Sequence, residues 1–370
     1  MLASNFKGEK FKMKIKLKNT PEQLELVKAM GSRDVAVAKE ATEAFAAFIG
    51  PVVSKVLMQA GTASAIYSDA PYDEDDNPSL PLDLYYNQNQ DYVTTWSQTV
   101  AGGLPSSTVE GFSELKVSTY RLDSAVSFLK RYARRGRLDV VSKAVERMSN
   151  EVLVKQERNA WAVVLKALAE ATSNGADHIV PATTAGTLQL KDLSDLMTLV
   201  KRINTSYAGG TTTDSYGLTD LFISPEIMGQ VRELAFNPVG ASSAVNPLEV
   251  APNNVREEIF RNAGAGELFG VTLHQLVELG LTGKYNTLFS TFAAGAGVSF
   301  NASNQQILVG VDLSKESFIR PVARQAESGG TFTVLPDDQF VTRSEKTGFY
   351  GFLEEGRVCI DGRAIAGIIV

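Results

Sequence analysis

The sequence predicts an α+β chain in which an N-terminal arm, a projecting two-stranded loop, one very long helix, an α/β lobe and a β-rich return follow one another. Three observations predict it. Residues Leu138 to Thr172 contain neither glycine nor proline and carry apolar residues at spacings of three and four. Residues 68–119 show short strand-like runs punctuated by proline and glycine, with no helical period. Residues 330–370 are rich in strand formers separated by glycine turns.

The elements follow in order. From Lys10 to Lys18 lysine alternates with Phe11, Met13, Ile15 and Leu17, the period of an extended strand with one charged and one apolar face. Such an arm is either a solvated terminus or a segment that pairs with a neighbour or faces nucleic acid. Lys10, Lys12, Lys14, Lys16 and Lys18 are the candidates for DNA contact. Thr20-Pro21-Glu22 predicts a helix start, with threonine as cap, running to about Met30. A second helix is predicted from Asp34 to about Gln59. Phe45, Phe48, Ile49, Val52, Val56 and Leu57 lie at helical spacing, and a kink or split is expected at Gly50-Pro51.

Asp73, Glu74, Asp75 and Asp76 form an acidic knot ahead of Pro78 and Pro81. Leu82, Leu84, Tyr86, Tyr92, Thr94 and Trp96 then suggest strands, and Lys116 to Phe128 a returning strand. A compact domain rarely holds about sixty residues of strand and turn in one stretch, so an extended β-hairpin loop is expected. Lys130, Arg131, Arg134, Arg135 and Arg137 form a basic cluster just before the long helix. Acidic knot and basic cluster are either solvated faces or complementary contacts between copies.

The long helix would measure about 50 Å. Val141, Val145, Met148, Val152, Trp161, Val164, Leu165 and Leu168 are read as one apolar stripe, and Ser173-Asn174-Gly175 as the stop. Further on come a helix from Thr187 to Ile203, a buried strand from Leu218 to Ser224 and a helix from Pro225 to Leu234. Phe236 to Asn254 reads as loop and Val255 to Ala263 as helical. Leu268–Leu276, Leu288–Phe292 and Gln306–Asp312 read as strands, as do Gly330–Val341 and Thr347–Leu353. A turn is expected at Glu355-Gly356, followed by a return strand from Arg357 to Val370 interrupted at Asp361-Gly362.

Composition narrows the function classes. A net charge of -6 disfavours broad gripping of nucleic acid. The single cysteine, Cys359, offers no disulfide framework and suits a reducing cytoplasm. Ala44–Leu57 and Ala364–Val370 are too short or interrupted to span a bilayer, and no secretory signal is visible. His178 and His274 lack metal-ligand spacing. Gly280–Tyr285 fails as a phosphate loop, because it lacks the first glycine at the required distance and Tyr285 stands where a serine or threonine should hold magnesium. Gly264-Ala265-Gly266 is followed by Gly270, one residue too late for a dinucleotide fingerprint. The acidic knot fails as a calcium loop at Pro78 and Leu84. Glu257-Glu258 and Glu354-Glu355 read as ordinary surface pairs. No catalytic residue, cofactor or metal is therefore expected, and the chain reads as a self-assembling structural protein.

The order of elements resembles the major capsid proteins of tailed bacteriophages, the Hong Kong 97-type fold. Three local stretches add to the resemblance: Ala44–Val52, Ile66–Asp69 with Asp75–Asp83, and Lys346–Phe352 through Ala364–Gly367. The resemblance implies an N-terminal arm and helix over 1–65 and an extended loop region over 66–137. It implies a spine helix and peripheral domain over 138–204, an axial domain over 205–330, and return strands of both domains over 331–370. It further implies hexamers and pentamers of an icosahedral shell assembled in the host bacterial cytoplasm, packaged DNA touched non-specifically, and portal, scaffold or decoration partners. Some members crosslink a loop lysine to an asparagine; this loop has few lysines, chiefly Lys116, so that chemistry is not carried over. The chain begins at Met1 with no long helical prodomain, so a separate scaffold is expected. An encapsulin-type compartment shell, which shares the fold, is the alternative; an α/β enzyme or ligand-binding protein centred on Leu218–Leu281 comes behind it.

Overall fold

The computed structural model describes residues 20–59, 61–73, 76–81, 114–173, 176–203, 217–234, 266–314, 316–324, 331–337 and 345–370, together with Glu257 and Arg261. The arm lysines, the strands expected between Leu82 and Trp96, and the loop and helix expected over 236–263 lie outside these residues, apart from Glu257 and Arg261.

Helix α1 (Pro21–Met30) starts as expected: the Thr20 hydroxyl accepts from the Gln23 amide and Pro21 occupies the first turn. Helix α2 (Val35–Gln59) runs unbroken through Pro51 instead of splitting there. Pro51 sits on the exposed side, where water can take up the carbonyl it leaves unpaired. Strands β1 (Ser68–Asp73), β2 (Ser79–Pro81), β3 (Glu114–Lys116) and β4 (Thr119–Leu129) follow. β2 and β3 pair antiparallel, Leu80 opposite Leu115, and so form the described base of the predicted loop.

A short helix α3 (Lys130–Arg134) leads into α4 (Leu138–Glu170). Beyond it come β5 (Thr172–Ser173), β6 (Ala176–Asp177), β7 (Ile179–Pro181), α5 (Leu190–Ile203), β8 (Asp220–Ile223) and α6 (Pro225–Glu233). Then come β9 (Glu267–Leu268), β10 (Val271–Gln275), α7 (Lys284–Ala296), β11 (Ile307–Val311) and β12 (Phe318–Arg324). The chain closes with β13 (Thr333–Asp337), β14 (Lys346–Gly356), β15 (Val358–Cys359) and β16 (Ile365–Ile369).

Two sheets organise these elements. In the first, β14 is central: β4 pairs along its whole length, while β13 and β12 share its other side. β12 also pairs β1 in parallel and β15 antiparallel. The second sheet runs β7-β16-β11-β8-β10-β9. The first is covered by α1, α2 and the N-terminal half of α4, which enclose Phe45, Ile49, Val141, Met148, Val322 and Phe349. The second is covered on both faces. Alternation along β11 sends Ile307, Val309 and Val311 to the side of α4 and α7, and Leu308 to the side of α5 and α6. A strand apolar on both faces is what a doubly covered sheet requires.

Three expectations are corrected. Leu288–Phe292 is helix, inside α7: Tyr285, Phe289 and Ala293 repeat every four residues and are buried together, and Gly297 closes the helix in a left-handed conformation. The C-terminal segment is not one hairpin, because Glu355 and Gly356 still belong to β14. β15 stays in the first sheet, a 3-10 turn over Gly362–Ala364 follows, and β16 joins the second.

The third correction concerns α4. Its buried residues up to Val152 belong to the first core and those from Ala160 to the second. Val152 and Trp161 are nine positions apart, and at about 100° per residue that is two and a half turns. The single predicted stripe is therefore two stripes on opposite faces. We expect Trp161→Ala to cost roughly 3–5 kcal/mol and Val154→Ala, at a 63% exposed position of the same helix, less than about 0.5 kcal/mol. Urea unfolding of the two variants checks this.

Candidate assembly surfaces and the polar joint

Where α4 changes sides, a buried polar joint replaces the apolar core. Glu355, with 0% of its surface exposed, stands at the end of β14. It accepts hydrogen bonds from Tyr120 Oη at 2.7 Å, from Gln156 Nε2 on α4 at 3.1 Å and from Arg357 Nη2 at 3.2 Å. Arg320 on β12 lies 3.9 Å from the same carboxylate and forks onto Asp69 of β1 at 2.6 and 2.7 Å. The Arg357 guanidinium lies over the Tyr67 ring at 4.7 Å, and the Tyr67 hydroxyl donates to the Ala160 carbonyl at 2.9 Å. The joint thus ties β1, β12 and β14 to the middle of α4.

Its electrostatics are self-consistent. Burial opposes the Arg357 charge, and Glu355 together with Tyr120 and Tyr67 outweighs it, so the guanidinium is held above the ordinary arginine value. Burial, followed by the Glu355 charge, pushes the Tyr120 phenol up to about 12. Glu355, read from the sequence as half of a surface pair, is instead buried at the centre of this joint, a place that sequence reasoning missed. Its only signal is its alternation with the buried Leu353 along β14.

The predicted contact residues are scattered. Asp73 is exposed at the end of β1 and Asp76 just beyond it; Glu74 and Asp75 lie outside the described residues. Lys130 is buried, and its amide donates to the Glu345 carbonyl at 2.8 Å. Arg131 packs over the Tyr132 ring at 5.1 Å. Arg134 Nε donates to the Gly31 carbonyl at the end of α1, at 2.6 Å. A Cβ on Gly31 would lie 2.5 Å from the Arg134 backbone nitrogen, so glycine is what lets α1 dock there. Arg135 and Arg137 are exposed. The structure thus brings Arg134 into the subunit's own packing and leaves Arg131, Arg135 and Arg137 facing outward.

The residues tested for chemistry have structural partners. His178 Nδ1 lies 2.9 Å from the Ile365 carbonyl oxygen. His274 Nε2 lies 2.6 Å from Asp220 Oδ1, with its ring stacked on Phe222. Burial pushes the Cys359 thiol up to about 12, which makes it a poor nucleophile. Tyr285 stacks on Trp161 with centroids 5.6 Å apart. Among the described residues no group of three or more His, Cys, Asp or Glu could hold a metal ion, and no helix is long and apolar enough to cross a membrane.

No protein-family model matches the sequence, and no curated protein matches it. Solved structures do. The capsid of the native GTA particle superposes with a TM-score of 0.50 at 12% identity, covering 84% of this chain and 90% of that one. The fold is the Hong Kong 97-type shell fold. In its terms α4 is the spine helix. A chain of Microbacterium phage Oxtober96 gives a TM-score of 0.49 at 11% identity, with 83% and 90% covered. The SrpI encapsulin of Synechococcus elongatus PCC 7942 gives 0.41 at 13%, with 69% and 74% covered.

In this shell fold the joint pins the spine helix to the first sheet. Glu355→Ala is expected to cost roughly 3–5 kcal/mol, because it leaves Arg357 buried without a carboxylate; adding Arg357→Met should recover most of the loss. Denaturant unfolding of the single and double variants measures both.

Proposed function

We propose that the chain is the major capsid protein of a tailed bacteriophage, a non-enzymatic subunit that closes into hexamers and pentamers of an icosahedral shell around a DNA genome. The single observation that supports this most is the shell fold itself, which covers most of this chain and of the GTA capsid chain alike. In this reading residues 1–65 form the arm, 66–137 the extended loop region, and 138–204 the spine helix and peripheral domain. Residues 205–330 form the axial domain and 331–370 the return strands. The virion is the destination and the host bacterial cytoplasm the place of assembly. Portal, scaffold or decoration proteins are further partners, and the arm lysines from Lys10 to Lys18 face the packaged DNA.

Electron microscopy of the protein, purified or co-expressed with a scaffold, tests the reading. Closed shells are expected; a compact monomer under all assembly conditions overturns it. Shells filled with a protein cargo in place of DNA would move the reading to the encapsulin alternative. A reconstruction with residues 10–18 on the outer surface would remove the arm's role in DNA contact.

The exposed ends of the basic cluster and the acidic knot suit contact between copies. Arg135 and Arg137 carry the test, because reversal at Arg134 would also break its bond to Gly31. The double variant R135E/R137E should fold normally yet assemble at least about tenfold less readily at low salt, with partial rescue by D73K/D76K. Light scattering reads assembly and circular dichroism reads folding. Unchanged assembly at low salt would remove the pairing.

A further inference from the structure

A sheet edge offers unpaired N–H and C=O groups to any strand that meets it, and folded proteins blunt such edges with proline, charge or brevity. Among the described residues, the two large sheets of this chain do so at every edge but one. In the first sheet β1 carries Pro71, β13 carries Pro336 and β15 is two residues long. In the second sheet β7 carries Pro181 and β9 is two residues long. The exception is β4. It has eleven residues, contains neither proline nor glycine, and pairs with β14 alone, along its whole length. Its two charges, Arg121 and Asp123, pair with one another at 2.8 Å on one face of the strand, out of the ladder plane. The other side of β4 therefore presents backbone groups that β14 does not use.

The sheet also dictates what a strand added there must look like. The helices meet β4 on one face: Leu122, Val126 and Phe128 turn toward them, while Arg121, Asp123, Ala125 and Ser127 are exposed. An added strand must be apolar at every second position, polar between, and free of proline. Residues 10–18 meet each condition. Phe11, Met13, Ile15 and Leu17 alternate with five lysines over nine residues, with no proline or glycine. The tether fits as well. Asn19 alone separates this segment from Thr20, the cap of α1. Helix α1 is only about 15 Å long. It lies against the turn that follows β4, where Arg134 Nε donates to the Gly31 carbonyl at 2.6 Å and Gly136 sits beside Leu24 and Lys28.

We infer that residues 10–18 add to the free edge of β4 in the same subunit. They form a parallel strand with Leu17 beside Phe128, Ile15 beside Val126 and Lys12 beside Asp123. Parallel is the direction that delivers the chain to α1 at the C-terminal end of β4. The added strand extends the apolar layer under the helices and sets the lysines in a row on the opposite, exposed face. The inference stands apart from the shell reading, since it holds for a lone subunit, and it names the face on which the arm lysines are displayed.

Pairs of cysteines in the full chain test it. In the inferred register Lys14 and Ala125 lie side by side on the exposed face, at a strand spacing of about 5 Å, within reach of a disulfide. K14C/A125C should therefore oxidise to a bond within one chain. I15C/A125C, whose side chains point to opposite faces, should not. Cys359 stays out of the reaction, because burial pushes its thiol up to about 12. Mass spectrometry on an equal mixture of heavy- and light-isotope protein separates bonds within a chain from bonds between chains. A bond between chains overturns the assignment to the same subunit. Equal bonding of both pairs, or none in either, overturns the register. Hydrogen exchange is an independent readout: Ile15→Pro, which a paired strand does not tolerate, should speed exchange across residues 119–129 at least about tenfold and leave the second sheet unchanged. Unchanged exchange in β4 overturns the arm as its partner.

Discussion

One continuous helix has to be buried on opposite faces by two different cores, and the arrangement of the chain follows from that. Val152 and Trp161 face opposite ways because the segment between them spans two and a half turns without a break. At the crossover neither core can wrap the helix, so its middle is met by side chains that tolerate a partial seal. Gln156 reaches Glu355 there, and the Ala160 carbonyl receives Tyr67. A buried ion cluster of this kind adds little net stability, since desolvation offsets most of the attraction. What it supplies is definition: one carboxylate gathers a phenol and two guanidiniums, and that set of contacts holds in one relative setting of helix and sheet.

Much of this was legible in the sequence where local chemistry decides structure. Thr20 before Pro21 and Ser224 before Pro225 both cap helices, because a hydroxyl followed by proline satisfies a first turn in almost any context. The run Ile307–Val311 declares a doubly covered strand. Legibility failed where tertiary contacts choose between local options. Tyr285–Ala293 is apolar enough for either strand or helix, and packing against Trp161 selects the helix. β12 passes unnoticed because Arg320 and Pro321 interrupt its apolar run; Arg320 is buried only because Asp69 and Glu355 wait for it. The two stripes of α4 look like one because spacings of three and four hold within each half, and only the interval between the halves betrays the change of face.

The candidate contact surfaces were less legible than the fold. A basic cluster in sequence says nothing of which cations the subunit uses itself. Arg134 is engaged by the end of α1 and Lys130 is buried, while Arg135 and Arg137 face outward. The free edge of β4 is invisible from composition, since only its pairing with the distant β14 decides which of its sides is left open.

The strand orders also govern how the chain can be made. β14 is the centre of the first sheet and β16 lies inside the second, between β7 and β11, yet both come at the end of the chain order. Neither sheet can close before these strands have been made, so each closes through long-range pairings, which are slow. The same delay acts as an inspection step. A translation product cut short before Ile365 lacks an interior strand of the second sheet, and a subunit so broken has no finished lobe to offer its neighbours.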